Sequence, residues 1–74
     1  MTTANSKEAL RRAIERGLAD YLEGRKTQRG IIGDIQASNL RGKDLAAIFD
    51  GVKGRGDAAK YDAAVRECQS RGWL

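Results

Sequence analysis

The sequence predicts an all-α domain, a compact bundle of about four helices around one core, over residues 6–23, 28–38, 43–51 and 57–71. Three observations predict it. Apolar residues recur at three- and four-residue spacing in the longer segments, the period of a helix with one buried face. Polar cap residues open these segments, and glycine or asparagine follows most of them. There is no proline, and the one stretch with strand character, GIIGDI, has no second strand to pair with.

Residues 1–4 are small and polar and are expected to fray. Asn5 with Glu8 fits a capping box, and Ser6 is the competing cap. In KEALRRAIERGLADYLEG, Leu10, Ile14, Leu18, Tyr21 and Leu22 form one stripe, while Arg12, Arg16 and Glu23 lie opposite. Glu8 and Arg12 form an i,i+4 pair, and Gly24 is a natural stop. A mid-helix glycine such as Gly17 costs roughly 1 kcal/mol against alanine. Close approach of another helix, from this chain or a partner, would justify it; plain tolerance is the alternative.

Thr27 is placed to cap the second helix, whose Ile31, Ile32 and Ile35 share a face. Asn39 or Arg41-Gly42 marks a turn. KDLAAIFDG then buries Leu45, Ile48, Phe49 and Val52. Asp57 caps the last helix, with Tyr61, Ala64, Val65 and Cys68 inward and two i,i+4 pairs, Asp62–Arg66 and Glu67–Arg71. Gly72 ends it, and Trp73-Leu74 folds back as an apolar lid.

At 74 residues the chain makes one small domain. A domain this short buries only about 60% of the surface its unfolded chain exposes, so homodimerisation is a reasonable supplement. Cys68 is the single cysteine, which excludes an internal disulfide and a thiol pair for zinc. There is no histidine, the commonest general base and nitrogen ligand. Asp34, Asp44, Asp50 and Asp57 sit at separate caps or turns and form no acid–base pair. Cys68 lies on an apolar stripe with no base to activate it, so neither an enzyme nor a cofactor is expected. No apolar run is long enough for a signal peptide or a membrane span, and the expected location is the cytoplasm.

The net charge of +4 is unevenly placed. Residues 1–23 and 61–74 are each neutral, and the whole excess lies in 24–60. Localised basic charge is the footprint of a polyanion binder, so a nucleic-acid partner, DNA first, is expected. A basic surface that only aids solubility is the plain alternative. Lys53, Arg55, Lys60 and Arg66 form one candidate patch; Arg25, Lys26 and Arg29, with Arg12 and Arg16 nearby, form a second. The loop Gly51-Val52-Lys53-Gly54-Arg55-Gly56 offers backbone N–H groups that could converge on a phosphate. It is not a Walker loop, because no Ser or Thr follows Lys53.

Leu45-Ala46-x-x-Phe49-x-Gly51-Val52 resembles the scaffold helix and turn of bacterial repressor-type helix-turn-helix domains. The resemblance covers about a third of the chain. It implies a DNA-binding regulator, with Ala46 at a close helix crossing and a recognition helix from Asp57. The sequence departs from that pattern in a longer turn, a glycine one position late, and an opening Asp57-Ala58-Ala59 with little to offer base edges. The competing reading is a module that binds and modulates a host protein, similar in size and charge to phage and plasmid accessory proteins. Its target would be acidic, and Tyr21, Trp73 and Leu74 would be the exposed anchors.

Overall fold

Ser6 starts the first helix: its hydroxyl accepts the Ala9 N–H at 3.1 Å. Thr27 does the same for the Gly30 N–H at 3.0 Å, and the Asp57 carboxylate takes the Ala59 N–H at 2.8 Å and the Lys60 N–H at 3.4 Å. In the computed structural model, which describes residues 6–74, these caps open α1 (Lys7–Leu22), α2 (Gln28–Ser38) and α4 (Ala58–Ser70). α3 (Lys43–Val52) begins after Gly42 without a side-chain cap, with Asp44 in its first turn. The expected fraying of residues 1–4 and the Asn5 capping box lie outside the described residues. Residues 30–36, where a strand competes in the sequence, are helical within α2.

α1 packs against all three other helices, and α2 also packs on α4. Leu18, Leu22, Ile31, Ile35, Leu45, Val52 and Cys68 are fully buried where these faces meet. Leu10 differs from expectation. It lies on the apolar stripe but is 39% exposed, because its neighbours on α2 are Asp34, Ala37 and Ser38, none large enough to cover it.

Gly17 has a reason within the chain. A Cβ there would lie 3.0 Å from Ile31 Cδ1 and 3.5 Å from Lys26 Cε, so its bare backbone lets α2 settle on α1. Gly56 is tighter. Its φ is +58°, and a Cβ would fall 2.2 Å from the Leu22 carbonyl oxygen. The next residue, Asp57, donates its N–H to that same oxygen at 3.0 Å. The start of α4 is thereby fixed to the end of α1.

Trp73-Leu74 forms the expected lid, half-buried against the core. The Trp73 N–H donates to the Cys68 carbonyl at 2.9 Å, and its carbonyl accepts the Gly42 N–H at 2.8 Å. The Arg41 guanidinium lies 4.4 Å from the Trp73 ring centroid and donates to the carbonyls of Ile35 at 3.2 Å, Gln36 at 3.4 Å and Leu40 at 2.7 Å. The chain's end thus holds the α2–α3 corner, where α2 leaves carbonyls without helical partners. Of the expected i,i+4 pairs, Glu8–Arg12 closes to 3.6 Å and Glu67–Arg71 to 2.7 Å. Asp62 and Arg66, both exposed, form no ion pair.

Gly56→Ala is expected to destabilise the protein by about 3 kcal/mol, from left-handed strain and a clash with backbone. Gly33→Ala, where a Cβ would meet nothing within 4 Å, is expected to stabilise it by about 0.5–1 kcal/mol through helix propensity. Urea unfolding with an unchanged m-value measures both.

Candidate nucleic-acid interface

The corner between α1 and α2 places the first cations. The Arg25 N–H donates to the Asp20 carbonyl at 2.7 Å, which curls the chain back and brings its guanidinium 3.0 Å from the Asp20 carboxylate and against Glu23. These hydrogen bonds, Glu23 first, raise the Arg25 pKa further. The Lys26 stem crosses the Gly17 notch, and its ammonium reaches Asp34 at 3.1 Å.

Lys60 arrives from the other side of the sequence. Its ammonium lies 3.4 Å from the Tyr21 carbonyl and 5.6 Å from the Tyr21 ring centroid, and Tyr21 Oη donates to the Lys60 carbonyl at 3.1 Å. Burial, with a smaller contribution from Asp57, raises the Tyr21 pKa, so the phenol stays a donor. Arg25, Lys26 and Lys60 then share an open cleft of about 550 Å³ with Gln28, and no carboxylate lines it. A second groove of about 360 Å³ holds Arg29, Gly33, Gln36, Glu67 and Arg71 along α2 and α4. Gln28 lines both.

The expected patches are therefore regrouped. Lys60 joins Arg25 and Lys26. Lys53 and Arg55 line a separate depression of about 350 Å³, and Arg55 lies 3.9 Å from Glu23. Arg66 is exposed on α4 and lines none of these hollows. The proposed phosphate cradle at 51–56 has part of its donors already used. Gly51 belongs to α3, and the N–H groups of Lys53, Arg55 and Asp57 donate to the carbonyls of Asp50, Val52 and Leu22. The Asp57 carboxylate occupies the α4 N-terminus where an anion would sit.

The helix-turn-helix pattern loses its expected crossing, because Ala46 is exposed. α3 and α4 meet instead through an edge-to-face pair, Phe49 and Tyr61 at 5.7 Å, with Tyr61 Oη donating to the Phe49 carbonyl at 3.1 Å. The exposed face of α4 offers Ala58, Ala59, Asp62, Arg66 and Gln69, a single cation beside one carboxylate. Tyr21, expected as an exposed anchor, is 3% exposed, because the α4 N-terminus covers it. Trp73 and Leu74 are half-buried.

Two residues of this surface escaped the sequence reading. Gln28 reads as part of a polar connection, and Arg71 as the partner of Glu67. A helix placing Gln28, Arg29 and Gln36 on its outer side is the signal that could have found the groove. Among the described residues no three potential metal ligands cluster, and no helix is long and apolar enough to cross a membrane. Comparison with known proteins finds no matching family model, no matching curated protein and no matching solved structure.

Cys68 is fully buried, and burial, with a smaller push from Glu67, raises its thiol to about 11 against the opposing pull of Arg41 and Arg71. At neutral pH it is a thiol packed as a small apolar group. Folded protein is expected to react with a disulfide reagent at least about 100-fold more slowly than urea-unfolded protein, since both thiolate fraction and access are lost. Equal rates would mean that Cys68 is not held in the core.

Proposed function

We propose that the protein is a small nucleic-acid-binding protein that grips the phosphate backbone at the α1–α2 corner, through Arg25, Lys26, Arg29 and Lys60. The observation that carries the reading is the carboxylate-free cleft shared by Arg25, Lys26 and Lys60. Two of these cations come from one loop and the third from a helix over thirty residues on. Asp20, Glu23 and Asp34 hold Arg25 and Lys26 in place from outside that lining. The pairs are exposed, so exchanging a carboxylate for a phosphate costs little. Contacts of this kind position a polyanion without reading its sequence. The α4 face, with one arginine, adds little base recognition.

Binding of an acidic protein target, or of a second copy, is the competing reading. One observation favours it: the 39% exposure of Leu10, beside Ala13 and Ala37 on a shallow groove.

Binding to a labelled random-sequence oligonucleotide, as duplex and as its separate strand, is expected at about 50 mM salt and should weaken steeply by about 200 mM. Three to four phosphate contacts correspond to a log–log salt slope of about −3, and Lys26→Ala with Arg29→Ala should flatten it by about 2. Lys53→Ala with Arg55→Ala should leave it unchanged. No binding of either form at low salt would overturn the proposal. The reverse mutant pattern would move the contact to the 53–56 loop.

A further inference from the structure

We propose that the nucleic acid taken by this surface is a single strand, laid along the α2–α4 groove from the Lys60 end to the Trp73 end. The inference rests on the nucleic-acid reading above and goes on to name the form of the ligand and its path.

The first ground is continuity. The cleft of Arg25, Lys26 and Lys60 and the groove of Arg29 and Arg71 meet at Gln28, so together they make one trough along α2. α2 has 11 residues, a length of about 16 Å. At about 3.4 Å per nucleotide of a stacked strand, that accommodates about five nucleotides.

The second ground is what lines the trough. Cations stand at its start, at Arg29 and at Arg71. Its one carboxylate, Glu67, is held by Arg71 at 2.7 Å. Gln28 and Gln36 supply side-chain amides that donate to phosphate or to base edges. Gly33 is exposed, and the space where its side chain would stand is empty for 4 Å, which leaves the helix backbone open to a strand.

The third ground is the aromatic at the far end. Trp73 is partly buried against the core, with Arg71 5.2 Å from its ring centroid and Arg41 4.4 Å from it. Trp73 lies outside the groove lining and is joined to it through Arg71; a basic groove with an aromatic–guanidinium pair just beyond its end suits a single strand, whose unstacked bases seek a π-face. A duplex has no free base faces and would present a convex rod to a concave trough. To be read, it would need a protruding helix with donors to its major groove, and α4 offers one arginine beside Asp62.

The test uses the full chain with labelled oligothymidylate and oligouridylate of about eight nucleotides, against a duplex of the same length. Trp73, the only tryptophan, is the intrinsic reporter. Expected are at least ten-fold tighter binding of one or both single strands than of duplex, and a change in Trp73 emission at saturation. Oligodeoxyuridylate, which differs from oligouridylate only in lacking the 2′-hydroxyl, then identifies the preferred sugar. Arg29→Ala with Arg71→Ala should weaken strand binding about ten-fold, with helical circular dichroism unchanged. Trp73→Phe should keep most of the affinity, and Trp73→Leu should lose about ten-fold at retained fold. Equal or tighter duplex binding, strand binding without a change in Trp73 emission, or indifference to Arg29 and Arg71 would overturn the inference while leaving the nucleic-acid reading standing. Failure of every oligonucleotide to bind would overturn both.

Discussion

The fold depends on one junction, where the last turn of α1 meets the first turn of α4. The Leu22 carbonyl accepts the Asp57 N–H at 3.0 Å, and Gly56 has no Cβ, so the two backbones can come this close. Tyr21 Oη and the Lys60 ammonium add bonds at 3.1 and 3.4 Å in opposite directions. Each is worth about 1 kcal/mol net, and less where its groups are open to water. In a domain of this size such terms weigh heavily against a marginal total. With the junction made, α1 serves as the wall on which the other helices lean.

The same junction builds the candidate site. It draws Lys60 to the α1–α2 corner, where Arg25 and Lys26 already stand. It also spends groups that looked available. The Asp57 N–H goes to Leu22 and the Asp57 carboxylate to the α4 amides, which withdraws the α4 N-terminus as an anion site. Charge placement follows the same economy. Arg25 and Lys26 rest against Asp20, Glu23 and Asp34, which orders their stems and aims them beside the cleft. A surface of paired, exposed cations suits weak, salt-sensitive attachment along a polymer better than a single tight anion site.

The helices were legible because each carried its own local signals. Ser6, Thr27 and Asp57 cap where short polar side chains should, and the observed bounds differ from the expected ones by at most one residue. Frayed or tightened last turns account for differences of that size. The candidate site was legible only in part. Its residue types were visible, since Arg25, Lys26, Arg29 and Lys60 stood out as an unbalanced charge. Their grouping was not, because closeness in sequence put Lys60 with Lys53 and Arg55. Leu10 and Tyr21 show the same limit in opposite directions. Both sit on the α1 stripe, but one meets only small or polar residues of α2 and the other lies under α4.

By itself the sequence determined the helical class, the Thr27 and Asp57 caps, most of the inward-facing residues and the confinement of the net charge to residues 24–60. These are local properties, carried by the period of apolar residues and by the hydrogen-bonding chemistry of single side chains. Only the tertiary structure decided which cations share a cleft, why Gly56 must lack a side chain and Gly17 sits at a tight helix contact, and that Arg41 and Arg71 flank Trp73. Each of those depends on how α1 meets its neighbours across tens of residues, and no spacing along the chain records that approach.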